Sequence, residues 1–169
     1  MKFMKKSLLA LSLTAFTTIY SVANQAAAET VQQVKLATSA GDIVLELYPE
    51  KAPKTVENFL QYVKDKHYDG TIFHRVIGNF MIQGGGFDSK YAQKPTRPPV
   101  VHEGREALEK GGPRNVSGTV AMARTSDPQS ATAQFFINVK DNAFLNPSAQ
   151  SPGYTVFGKV ISGMDVVEK

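Results

Sequence analysis

Apolar and polar residues alternate from Val34 to Thr38 and again from Ile43 to Leu47, on either side of Ser39-Ala40-Gly41-Asp42. A period of two interrupted by a glycine-containing turn predicts a β-hairpin. The period then changes. Pro53 suits the first position of a helix, and Val56, Phe59, Leu60 and Val63 follow at i, i+3, i+4 and i+7, giving one apolar stripe. Asp69-Gly70 stops that segment. Thr71 to Val76 and Phe80 to Gln83 read as strands joined through Gly78-Asn79. Gly84-Gly85-Gly86 points to a bulge or a close backbone approach. Residues Asp88 to Asn115 are rich in Lys, Pro, Gly and Glu and read as a long surface connection with one short helical turn around Ala107. Long loops of this kind are often functional. Gly118 to Ala123, Gln134 to Val139 and Tyr154 to Val160 are further strands, and Arg124 to Thr132 is loop. Ile161 to Lys169 reads as the start of a second helix, with Val166 and Val167 toward the core. Many strands, two helices and no βαβ rhythm predict a mainly β, antiparallel barrel or sandwich with helical plugs.

The N-terminal pattern belongs to a different kind of segment. Lys2, Lys5 and Lys6 precede a mostly apolar run from Ser7 to Tyr20, too short for a comfortable membrane span. Ala26-Ala27-Ala28 then supplies small residues before Glu29. This is the layout of a secretory signal peptide over residues 1–28, cleaved after Ala28 or, as the runner-up, after Ala23. The alternative is an uncleaved anchor, against which Ser12, Thr14, Thr17 and Thr18 interrupt the run. Three of the 19 basic residues and none of the 15 acidic ones fall in residues 1–28, so the remainder carries 16 against 15. The basic character of the whole chain is mainly that of the leader, and it gives no reason to expect nucleic acid as a partner. Residues 29–169 are enough for one domain with a real core. The chain has no cysteine, which excludes thiol catalysis and thiolate metal sites. His67, His74 and His102 lack metal-ligand spacing.

The stretch Phe73 to Gly86, FHRVIGNFMIQGGG, carries the candidate chemistry together with Ala133-Gln134-Phe135-Phe136-Ile137-Asn138. Strand alternation puts Gln134 and Phe136 on one face and Phe135 and Ile137 on the other. One Phe can thus line a pocket while its neighbour fills the core. Phe73, Phe80, Met81 and Phe136 taken singly read as ordinary core. As a set they bring Arg75, Gln83 and Gln134 with them, and burying those groups unpaired would cost several kcal/mol. A cation and two amides beside large apolar groups suit an apolar ligand with peptide carbonyls, such as a proline-containing segment. The triple glycine is no nucleotide loop, since no helix pattern follows it.

In these two stretches, and in Asn58-Phe59, Met122-Ala123 and Val156-Phe157-Gly158-Lys159-Val160, the chain resembles the cyclophilin family of peptidyl-prolyl isomerases, closest to its bacterial periplasmic type, from about Val34 onward. The resemblance implies an eight-stranded antiparallel β-barrel capped by two α-helices. It implies a prolyl isomerase, active without a cofactor or metal, that acts on unfolded or partly folded proline-containing polypeptides exported to the periplasm. A monomer without stable membrane insertion is expected. Arg75 falls on the family's catalytic arginine. Phe80, Met81 and Phe136 fall on its proline pocket, with Leu145 at the rim. Gln83 faces the substrate backbone, Ala123 and Arg124 match residues that pair with the peptide main chain, and Gln134 lies beside that groove. His74, although inside the motif, is read as structural.

The departures are specific. Arg124 stands where the family commonly has Asn. Phe144 stands where many eukaryotic members have Trp, and Tyr154 where many have His. Losing the indole N–H should leave isomerisation intact and make cyclosporin binding weak. Gly78-Asn79 replaces a Pro-Gly turn, which survives if Asn79 takes positive φ. Family members generally continue beyond Lys169 through a barrel-closing strand, so the chain is expected to be a fragment lacking it. Two other readings remain: a proline-peptide binding module or chaperone on the same fold without significant catalysis, and a small-ligand barrel carrier. Arg75 speaks against the first, and the polar groups of the site face against the second.

Overall fold

The hairpin pattern folds as expected. The computed structural model describes residues 31–169, so the segment read as a leader lies outside the described residues. β1 (Gln32–Thr38) and β2 (Gly41–Leu47) pair antiparallel in register Val34↔Leu45 and Leu36↔Ile43. Ile43, Leu45 and Leu47 alternate into the core. α1 (Pro53–Lys64) follows with Pro53 in its first turn. β3 (Arg75–Ile77), β4 (Met81–Gly84), α2 (Gly104–Glu109), β5 (Thr119–Met122), β6 (Phe135–Asn138), β7 (Val156–Ser162) and α3 (Met164–Val167) complete the order. Two 3-10 turns, Pro128–Ser130 and Ala143–Leu145, lie in the connections around β6.

All seven strands belong to one curled antiparallel sheet, in the order β1-β2-β7-β5-β6-β4-β3. β1 and β3 are its two edges. A cavity of ≈ 770 Å³ opens there, lined by Val34 to Ala40 on one side and by Thr71, Ile72, Phe73 and Gly84 on the other. The concave face is filled by Ile43, Leu45, Leu47, Ile82, Val120, Met122, Phe135, Ile137 and Phe157, with Val56 and Phe59 of α1 packed onto them. Phe59 anchors the helix, its ring centroid 5.5 Å from Phe135, 5.2 Å from Phe157 and 5.1 Å from Tyr68. Burying one such ring contributes about 1.5–3 kcal/mol.

Two expectations need correcting. The helix read over Ile161 to Lys169 starts later and is shorter: β7 runs on to Ser162, which pairs with Val44, and Met164–Val167 is helical. Gly163, at φ 87°, turns the chain between them, and Val167 is buried as expected. The strand read over Thr71 to Val76 becomes a ladder only at Arg75–Ile77, with an isolated antiparallel bridge between Thr71 and Asp88 before it. Thr71 is drawn into a turn, its N–H and hydroxyl both donating to the Tyr68 carbonyl at 3.1 and 2.7 Å. The helical turn around Ala107 is α2, and Asn79 does take positive φ, 57°.

The long connection returns one carboxylate to the start of α1. Ala52, the residue before α1, offers no side-chain cap. Glu103, 2% exposed, fills that role from 48 residues away. Its Oε1 accepts the Thr55 N–H and hydroxyl, both at 2.7 Å, and Oε2 accepts the Lys54 N–H at 3.3 Å. An anion on the first N–H groups of a helix satisfies donors that have no intrahelical partner.

Candidate active site

Sheet register assembles the candidate groups on the convex face. Arg75 pairs with Gln83, Gln83 with Phe136, Phe136 with Ala121, and Ala121 with Val156. Residues directly opposite in an antiparallel ladder share a face, so this row crosses five strands on the side away from α1. Met81, two residues before Gln83, lies on the same side. Phe135 and Ile137 point to the concave core, and Phe136 to the other side, as alternation requires. Met81, Ala121, Ala123, Phe136, Leu145 and Val156 thus form a second apolar cluster, with Phe80 and Tyr154 packed against it.

This cluster floors a cavity of ≈ 150 Å³ lined by Arg75, Phe80, Met81, Gln83, Ala123, Arg124, Phe136, Leu145 and Tyr154. That is about five water volumes at roughly 30 Å³ each, room for one small ring. Phe144 does not line it but stacks on Phe80 at the rim, centroids 5.6 Å apart, and is 70% exposed. Gln134 sits behind Gln83, whose Nε2 donates to Gln134 Oε1 at 2.9 Å. Arg75 Nη1 donates to Gln83 Oε1 at 3.4 Å. The two glutamines therefore form a short relay that steadies an exposed guanidinium. Among the described residues Arg75 forms no ion pair. The close backbone approach expected of the triple glycine is real: a Cβ on Gly86 would meet Gln134 Cγ and Cδ at 2.6 Å.

Arg124 is built in differently. Its guanidinium lies 4.6 Å over the Tyr154 ring, donates to Gly153 O at 2.6 Å and Thr125 O at 2.8 Å, and keeps a buried Nε without a partner. Tyr154 in turn meets Phe136 edge-on at 5.5 Å. The Arg124 side chain thus braces the wall of the cavity, while its backbone N–H and C=O find no hydrogen-bond partner among the described residues. His74 lies outside the cavity, packed 4.6 Å from the Phe87 ring. Burial holds its pKa below the usual histidine value, with the Arg75 charge adding to the effect.

Sequence reading did not find the buried amides behind the cavity, Asn115, Asn138 and Asn142, or the buried Glu103 at the start of α1. An Asn at a strand end reads as a turn former, and nothing in its spacing shows that it will be buried.

Comparison with known proteins identifies the family. The family model described as cyclophilin type peptidyl-prolyl cis-trans isomerase matches residues 33–169. A peptidyl-prolyl cis-trans isomerase of Streptomyces antibioticus is 62% identical over 138 residues, 80% of either chain. Peptidyl-prolyl cis-trans isomerase A of Dickeya dadantii is 54% identical over 159 residues, 94% of this chain and 78% of that one. The crystal structure of a cyclophilin-type isomerase of Cryptosporidium parvum, determined in the presence of the dipeptide Ala-Pro, superimposes with a TM-score of 0.62 at 28% identity, covering 82% of this chain and 85% of that one. With its single curled β-sheet and its motifs in these positions, the chain belongs to the cyclophilin-type peptidyl-prolyl cis-trans isomerases.

Proposed function

We propose that the cavity beside Arg75 seats the proline ring of the substrate and that Arg75 carries the isomerisation. The observation that supports this most directly is a guanidinium with no acidic partner among the described residues, held by Gln83 at the mouth of an apolar cavity. Rotation about an X–Pro bond is opposed by roughly 18–20 kcal/mol because nitrogen shares its lone pair with the carbonyl. Uncatalysed exchange takes tens to hundreds of seconds. No bond breaks and no proton needs to move. Met81, Phe136 and Leu145 hold the ring, and the free backbone of Arg124 offers a donor and an acceptor to the flanking peptide. Arg75 donates to the prolyl nitrogen once its lone pair localises. That contact exists only in the twisted state, so it lowers the barrier instead of merely tightening binding. A guanidinium suits the task because it stays charged and fixed in direction.

Arg75→Ala is expected to lower kcat on a proline tetrapeptide at least tenfold, about 1.4 kcal/mol of barrier, with unchanged circular dichroism. Activity within twofold of the parent would remove Arg75 from the mechanism. The substrates we propose are proline-containing segments of polypeptides folding in the periplasm, on the strength of the leader pattern over residues 1–28. Cell fractionation with N-terminal sequencing checks this. A mature protein starting at Glu29 is expected, and an intact Met1 in the cytoplasm would refute it. A second reading, a chaperone using the same cavity, draws on the apolar ring at its rim, Phe144, which is 70% exposed. In that case Arg75→Ala would leave suppression of client aggregation untouched.

A further inference from the structure

Three asparagines lie behind the cavity without lining it. Asn115, Asn138 and Asn142 are 1%, 0% and 0% exposed. Asn142 Nδ2 donates to Phe80 O at 3.0 Å and to Asn138 Oδ1 at 2.8 Å. Asn138 Nδ2 donates to Asn115 Oδ1 at 3.1 Å, and Asn115 Nδ2 to Leu145 O at 3.2 Å. The amides form one unbroken path from the carbonyl of Phe80 to the carbonyl of Leu145. Both of those residues line the cavity. Tyr154, a third lining residue, joins the same end through its N–H to Leu145 O at 3.0 Å.

The ordinary role of a buried amide is to satisfy a loop carbonyl, and Asn142 and Asn115 do so, with Asn138 linking them. Two features go further. First, the Phe80 carbonyl already has the Val139 N–H at 2.9 Å, so the Asn142 amide is an additional tie and not a rescue of an orphan acceptor. Second, Asn142 Oδ1 is buried with no hydrogen-bond partner. An unpaired buried acceptor is costly, because it gives up its hydration and gains no partner in return. Turning the amide over would only place its oxygen against the oxygens of Phe80 and Asn138, so the donor face is fixed toward them. The side chain gives up its own acceptor while keeping both donors on the path between the walls.

We propose that the chain Asn142–Asn138–Asn115 is a positioning element that sets the distance between the Phe80 and Leu145 walls, so that the cavity fits a proline ring before substrate arrives. This rests on the reading of the cavity as the proline seat. A seat formed in advance removes ordering costs from binding, and displacements near 1 Å at a site are costly. The network would act on ground state and transition state alike, and its loss should appear in KM, where the loss of Arg75 appears in kcat.

The test uses the full chain with Asn142→Ala, Asn115→Ser and, as a control, Thr119→Val. Thr119 Oγ1 accepts from Asn138 Nδ2 at 3.0 Å but lies off the path between the walls. Isomerisation kinetics and peptide Kd by calorimetry are measured below the melting temperature of each variant, on a proline tetrapeptide. Asn142→Ala and Asn115→Ser are expected to raise KM and Kd at least about fivefold with kcat within about twofold. Thr119→Val should melt lower with KM unchanged. If both asparagine variants keep KM and Kd within twofold, or if Thr119→Val raises them equally, the amides are only structural and the proposal is overturned. Should Asn142→Ala not fold, Asn115→Ser decides by the same criteria. A parent chain that binds the peptide without isomerising it would refute the catalytic reading instead, and Kd would still test the amide path.

Discussion

Phe144 shows how far one side chain shapes the groove. Its ring stacks on Phe80 with 23° between planes and leaves most of its surface in solvent. It supplies apolar cover but no hydrogen-bond donor. Phe144→Trp keeps the stack and adds an indole N–H at the rim. One neutral hydrogen bond is worth about 0.5–1.5 kcal/mol net, so cyclosporin should bind several-fold tighter to the variant. Calorimetry on both proteins checks this, and equal affinity would mean that the rim at this position does not limit the interaction. Much of the site at this scale was legible in the sequence. Arg75, Gln83 and Phe136 could be placed together because a strand alternates strictly, and Phe135 next door had to face the core. The Arg124 brace could not be read, because its acceptor on Gly153 lies 29 residues away across a loop and no periodicity links the two.

At the level of elements, legibility followed the strength of the pattern. The β1–β2 hairpin and α1 were readable because each keeps one period for its whole length and ends in a turn signal. The helix expected after Val160 is present but begins later, because pairing with β2 holds the chain extended through Ser162 and Met164–Val167 alone is helical. The start of α1 was located by Pro53, but what stabilises it was not visible: the cap comes from Glu103, inside the long connection. Glu103→Ala should therefore cost at least about 2 kcal/mol, since hydrogen bonds to a charged group contribute about 1.5–3 kcal/mol each. Glu103→Gln should recover part of this, because one amide oxygen can still accept from Thr55. Urea melts of the three proteins test the assignment. A Glu103→Ala midpoint equal to the parent's would show that the carboxylate merely fills space.

For the whole molecule, the ionisable groups held in their neutral form predict the pH range over which it is most stable. His67 is 8% exposed, its Nε2 3.0 Å from Gly85 O and its ring against Tyr62 and Tyr68. Burial lowers its pKa, and burial likewise lowers that of His74. A histidine whose pKa is lower folded than unfolded binds more protons when the chain is unfolded. Its contribution is complete above the unfolded value of about 6.5 and is lost as pH falls from there through the folded value. The tyrosines set the opposite limit. Burial pushes Tyr48 up to about 12, and raises Tyr62 and Tyr68 as well. Groups of this kind hold their contribution below the unfolded value of about 10 and lose it as pH rises further. Stability should therefore be flat between about pH 7 and 9 and fall on both sides. The acid limb should begin near pH 6.5, well before carboxylates titrate, at no more than about 1.4 kcal/mol per pH unit for each histidine. Urea midpoints at half-unit steps from pH 5 to 8 measure this limb, and His67→Gln should make it shallower. Midpoints that stay level down to pH 5 would mean that both imidazoles accept a proton without cost in the folded chain.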